Sequence, residues 1–219
     1  MGYRKAGIDF VLKSKNSSGF VFLIHGLFLN AFIMFPLARR LNKHGFSCFV
    51  YDYPTRLRTL KEHDAELAGI LSALPEKPLS IVTHSMGGLL IRSALAQMPE
   101  LNSKLHRIVM IAPPNKGSDA ASYWYSKKFL NRLVLPLEDM RSEADSRIHT
   151  LPEPQVETGI IAAERDKMVT PAYSGLTGRE RIFLQSSHSM ILFRRDTADA
   201  VEYFLRNGCF RKHNTGEPI

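Results

Sequence analysis

Leu79-Ser80-Ile81-Val82-Thr83-His84-Ser85-Met86-Gly87-Gly88-Leu89-Leu90-Ile91 is the stretch whose reading decides the fold. The short apolar run at 79–83 reads as a buried strand. A helical pattern runs from Met86 to Met98 and stops at Pro99. The turn between them is centred on Ser85. So tight a strand-to-helix turn requires small residues two positions before and two after the serine. Gly87 meets that need. Thr83 departs from it, and fits only if its side chain points away from the turn. Ser85 then projects at the carboxyl end of the strand. The Met86 N–H sits at the positive end of the helix, where developing negative charge is favoured. Ser85 is therefore a candidate nucleophile and Met86 a candidate oxyanion donor. The alternative is a structural turn in which Ser85 only caps the helix. His84 is adjacent to the serine, aims elsewhere, and reads as structural.

Outward from this turn, apolar runs at 8–12, 20–24, 46–51, 105–112, 159–163 and 182–184 read as further strands. Residues 30–44, 59–74 and 197–206 read as helices, with stop signals at Gly45, Pro75 and Asn207-Gly208. Strands alternating with helices predict a mostly parallel, doubly wound α/β sheet covered on both faces. The 219 residues suit one domain, 1–219, without internal repeats. In such sheets ligands bind beyond the carboxyl ends of the strands, so the residues after each strand are the informative ones.

After 20–24 come His25-Gly26-Leu27-Phe28. Gly26 lets the backbone turn so that the Leu27 N–H can be a second oxyanion donor. His25 reads as a brace for this loop, and His25, Gly26 and Phe28 are placed on the substrate side. Of the histidines after Ser85, His106 precedes a strand, His149 lies in an irregular segment and His213 in the tail. His188 follows the strand at 182–184 and is the candidate base, with Met190 beside it as a substrate contact. Asp166 follows the strand at 159–163 and is the candidate acid, with Glu164 its neighbouring rival. The expected chain order for a serine in such an elbow is Ser, then Asp or Glu, then His. Asp139 and Asp145 fall in the irregular segment.

That segment, 113–157, contains no clear strand, offers Ser118-Asp119 as a helix cap, and predicts a lid-like insertion. It carries Tyr123, Trp124, Tyr125 and Phe129, and Trp124 is the candidate substrate contact. The alternative is an ordinary packing excursion with core aromatics.

Hydrophobic residues make up 44% and charged ones 23%, which excludes a disordered chain. The net charge of +8 suits peripheral contact with an anionic membrane surface, or simply keeps the protein in solution. The basic residues are scattered and form no nucleic-acid motif. Cys48 and Cys209 make no disulfide framework. No apolar run marks a signal peptide or spans a bilayer. Ala6 occupies the Ser/Thr position that myristoylation at Gly2 would need. The expectation is a cytoplasmic protein with a frayed polar tail over 210–219. Oligomeric state is not legible.

Several pieces together resemble a bacterial lipase-like α/β-hydrolase family. They are His25-Gly26-Leu27, Tyr53-Pro54-Thr55-Arg56, His84-Ser85-Met86-Gly87-Gly88, Ala112-Pro113-Pro114-Asn115-Lys116-Gly117-Ser118, Ser187-His188-Ser189-Met190 and Phe204-Leu205-Arg206-Asn207-Gly208. The resemblance runs from about Phe20 to Phe210. It implies the α/β-hydrolase fold and hydrolysis of acyl lipids or apolar esters through an acyl-enzyme on Ser85. It implies no metal and no organic cofactor. Thioester hydrolysis or acyl transfer by the same residues is the alternative, as is a silent member that binds a lipid or a protein. The acid region, Glu164-Arg165-Asp166-Lys167-Met168-Val169, has less Gly and Asn than the family pattern.

Overall fold

The computed structural model describes residues 6–74, 78–127 and 129–211. Seven strands form one sheet in the order β1-β3-β2-β4-β5-β6-β7. They are β1 (Gly7–Leu12), β2 (Gly19–Ile24), β3 (Phe46–Asp52), β4 (Leu79–His84), β5 (Leu105–Ile111), β6 (Thr158–Ala163) and β7 (Glu180–Leu184). Only β1 runs antiparallel, at one edge against β3. Strands β2 to β6 are mostly buried on both faces, which is why they read as continuous apolar runs.

Helices α1 (Phe35–Lys43) and α8 (Arg195–Asn207) cover one face; α2 (Leu60–Ala73) and α3 (Met86–Gln97) cover the other. The alternation of β2 shows the two layers. Val21 and Leu23 join Leu37, Leu41, Val201 and Phe204 in one core. Phe22 and Ile24 join Leu67, Leu71, Leu89 and Leu90 in the other. Helix α2 begins on a capping box: Glu62 N–H donates to Thr59 Oγ1 and Thr59 N–H donates to the Glu62 carboxylate. Helix α8 ends at Gly208 with φ 76°, a left-handed cap that glycine adopts without strain.

Some boundaries move. Residues 31–34 of the expected first helix form a tighter 3₁₀ turn capped by Asn30, and α1 starts at Phe35 with Pro36 in its first turn. The frayed tail is corrected at Phe210. Its ring is buried 4.8 Å from that of Phe204, in space left by Gly159 of β6. A Cβ on Gly159 would lie 2.5–2.8 Å from those two rings. Gly2, Pro75, His213 and the tail beyond Arg211 lie outside the described residues.

The irregular segment 113–157 contains α5 (Asp119–Tyr125), α6 (Leu130–Leu133), α7 (Pro136–Asp139) and a 3₁₀ turn, Arg147–Thr150. Between Leu95 and Leu105 lies one further turn of helix, α4 (Leu101–Lys104). Much of the segment is anchored. Leu137, Met140 and Ile148 belong to the core on the α2/α3 face. The buried Arg92 of α3 donates to the carbonyls of Asn115, Ile148, Leu151 and Pro152.

Candidate active site

Ser85 occupies the turn between β4 and α3 with φ 51° and ψ −125°. A non-glycine residue held there costs about 1–3 kcal/mol, so the surroundings must enforce it. They do. Ser85 N–H donates to Ile111 O and Gly88 N–H donates to Ser85 O, both at 2.9 Å. Gly87 is required by close approach, since a Cβ would meet Ile24 O at 2.7 Å and His25 O at 2.8 Å. Thr83, where glycine is usual, is fully buried and packs toward Gly88. A Cβ built on Gly88 would meet Pro113 Cβ at 3.1 Å and sit in ordinary contact, 3.4 Å, with Thr83 Oγ1.

The Ser85 hydroxyl lies 2.9 Å from His188 Nε2, and His188 Nδ1 lies 2.6 Å from Asp166 Oδ2. A carboxylate only accepts, so Nδ1 carries the hydrogen and Nε2 is free to accept from Ser85. Asp166 is fixed by two further bonds: the N–H groups of Met168 and Val169 donate to its Oδ1 at 2.8 and 2.9 Å. The Asp166 side chain is 2% exposed and that of His188 14%. Asp166, rather than Glu164, meets the imidazole.

The loop after β2 brings Leu27 to the same place. Among the described residues the Leu27 N–H meets no acceptor. Met86 is the first residue of α3, where an N–H has no partner within the helix. Three residues that follow from the 51–56 region hold this loop. Tyr53 Oη donates to His25 O at 2.7 Å, Phe28 N–H donates to Thr55 Oγ1 at 3.2 Å, and Ala31 N–H donates to Asp52 Oδ1 at 2.8 Å. The sequence motif Tyr53-Pro54-Thr55-Arg56 does not reveal this role, because the contacts span 21 to 28 residues of chain.

A cavity of about 230 Å3 opens at Ser85 and His188. Leu27, Phe28, Leu29, Trp124, Met140, Met168 and Val169 give it apolar walls. Phe28 and Trp124 lie with ring centroids 5.8 Å apart, so the insertion and the loop after β2 share one wall. Ser118 ties the insertion to the acid loop: its Oγ donates to Met168 O at 2.6 Å and accepts from Ala121 N–H at 3.1 Å. Asn115 Nδ2 donates to Ser174 O nearby.

Three expected substrate contacts lie elsewhere. His25 is fully buried, its Nδ1–H donating to Gly26 O at 3.0 Å and its ring stacked 4.5 Å from Tyr53, so it braces the loop from behind. Gly26 gives clearance instead of a contact, since a Cβ there would come within 2.8 Å of Ser85 Cβ. Met190 is the exposed first residue of the 3₁₀ turn Met190–Phe193 and does not line the cavity. Met168, Val169 and Met140 were missed, because nothing in their spacing marks them as wall residues. Among the described residues no three His, Cys, Asp or Glu side chains gather as a metal ion requires, and no helix is long and apolar enough to cross a membrane.

A model of the alpha/beta hydrolase family matches residues 21–202. The chain belongs to the alpha/beta hydrolase family. Its fold is close to that of a mature Bacillus licheniformis lipase (TM-score 0.73, 16% identity, 94% of this chain and 98% of that one). It is also similar to a Paleococcus ferrophilus monoacylglycerol lipase (0.69, 16%, 93% and 98%). A thioesterase domain from the curacin biosynthetic pathway gives 0.65 at 16% identity over 90% and 94%. No curated protein sequence matches the chain. The hydrolase thus shares its fold with two lipases and a thioesterase domain.

Proposed function

We propose that this hydrolase cleaves carboxylic esters with apolar acyl groups, with Ser85 as nucleophile, His188 as base and Asp166 as the acid that orients it. The observation that carries this reading is the unbroken chain from hydroxyl to imidazole to carboxylate, at 2.9 and 2.6 Å. Ser85 Oγ attacks the ester carbonyl carbon while its proton passes to His188 Nε2. The new charge on the carbonyl oxygen is met by the N–H groups of Leu27 and Met86. His188 then returns the proton to the leaving alkoxide, and an acyl-enzyme remains on Ser85. Water, deprotonated by His188, releases the acid. Asp166 holds the imidazole in the required tautomer throughout.

The cavity is smaller than the ~300–1,000 Å3 typical of drug-sized ligands, which favours short acyl groups in the closed form. Long chains need the 113–157 insertion to move as a lid. Exposed Tyr123, Phe129 and Leu133 on that insertion, with the +8 charge, suit peripheral contact with an anionic membrane surface. A thioester is the second reading, favoured by the likeness to the thioesterase domain, since a thioester carbonyl would present the same oxygen to the same amides.

Replacing Ser85 with Ala should abolish hydrolysis of p-nitrophenyl acetate and butyrate while the circular dichroism spectrum stays unchanged. An active S85A enzyme would refute the assignment. The wild-type protein, assayed on acyl esters and acyl thioesters with and without anionic vesicles, separates the two substrate classes and tests the membrane contact.

A further inference from the structure

We propose that His84 is a positioning residue for the reaction: its Nε2–H donates to the main-chain carbonyl of His188 and so sets the reach of the His188 ring to Ser85. This rests on the reading of Ser85 and His188 as nucleophile and base. The bond is 2.9 Å long and joins residues 104 apart in sequence. The two rings lie 4.9 Å apart, tilted by 50°. His84 is the last residue of β4, directly before Ser85. The strand end that aims the nucleophile therefore also grips the backbone of the base.

Nothing else grips that backbone at His188 itself. Among the described residues the His188 main chain makes no other hydrogen bond. Its flanks are tied at Ser186, Ser187 and Ser189, whose carbonyls accept from the N–H groups of Arg165, Ile191 and Leu192, but none of these bonds reaches His188 itself. The His188 side chain is anchored at one end, by Asp166. A ring pinned there but free at its Cα could swing Nε2 away from Ser85 Oγ. The His84 bond removes that freedom.

The chemistry of His84 fits the task. A carbonyl only accepts, so Nε2 carries the hydrogen and Nδ1 holds a lone pair. Nδ1 is buried and finds no partner, facing Gly26, where a Cβ would come within 3.2 Å of it. Burial first, and the neighbouring His188 second, push the His84 pKa down to about 3. The ring therefore stays neutral when His188 takes the proton from Ser85. A lysine or arginine could make the same bond only by placing a second cation against that imidazolium. A residue kept for packing alone would be served better by an apolar side chain, which leaves no unpaired nitrogen in the core.

The test compares H84L, H84Q and H84N in the full chain. Leucine fills the space without a donor. The amide nitrogen of glutamine reaches the position of Nε2, and that of asparagine falls short. Steady-state rates on p-nitrophenyl butyrate, the rate of Ser85 phosphonylation by a fluorophosphonate, and Tm are measured for each. The expected result is a loss in kcat on the order of 10- to 100-fold for H84L and H84N, with KM nearly unchanged, and recovery of most of the rate in H84Q. Phosphonylation should follow the same order, and the Tm of H84L should not. H84L at wild-type rate, or H84Q as slow as H84L, overturns the proposal while leaving the Ser85 assignment intact. If H84L fails to fold, the ratio of H84Q to H84N decides alone, and equal rates overturn the proposal. An active S85A enzyme removes both readings.

Discussion

Asp166 is held by three hydrogen bonds, two from amides and one from His188, and its neighbour Glu164 by none that bears on the imidazole. Asp166→Asn keeps the shape but lets the amide donate, which favours the wrong imidazole tautomer. Comparable triads lose roughly 10⁴ in kcat by this change. The expectation here is a loss of about 10³–10⁴ with KM little altered, and near wild-type kinetics for Glu164→Gln; steady-state assays of both variants check it. Ser85, Asp166 and His188 were legible in the sequence because each follows a strand, and strand order places all three at one edge. The side-chain directions of His25 and Met190 were not. A motif gives position along the chain, whereas whether a ring faces the cavity or the core depends on partners such as Tyr53, 28 residues away.

At the scale of elements, the decisive unit is the segment 113–157. It lies at the edge of the sheet that carries Ser85, yet both its ends are fastened by the buried guanidinium of Arg92, which among the described residues meets no carboxylate at hydrogen-bond distance. Desolvation brings the Arg92 pKa down to about 10, and it remains charged at neutral pH. Arg92→Met would strand four carbonyls. Urea unfolding should show a loss of roughly 2–4 kcal/mol, and limited proteolysis should cut first within 142–152. The lack of a strand between β5 and β6 was readable from the sequence pattern. Ser118-Asp119 is a legible cap for α5, whereas α6 and α7 were not legible, because they are single turns of four residues and carry no periodicity. The main strands and long helices were readable almost to the residue, since β2 to β6 are buried on both faces and α2 and α8 carry clear stop and cap signals.

For the whole molecule, the buried histidines set how stability follows pH. Burial, with Arg58 adding to it, lowers the His63 pKa from 6.5 to about 4. The unfolded chain takes up that proton first. The His63 contribution is therefore complete above about pH 6.5 and is lost as pH falls toward 4. His84 acts in the same direction, down to about pH 3. Asp64 and Asp139, raised by burial, act oppositely, and both remain in a His63→Gln variant. The Tm of wild type should fall between pH 6.5 and 4 more steeply than that of the variant; parallel curves would contradict this.

Mass spectrometry of the wild-type protein after reaction with a fluorophosphonate tests whether Ser85 is the nucleophile. A single adduct is expected, mapped to the peptide containing Ser85, slowed strongly in His188→Ala and absent in Ser85→Ala. An adduct on another serine, or ester turnover that persists with Ser85 unmodified, would contradict it.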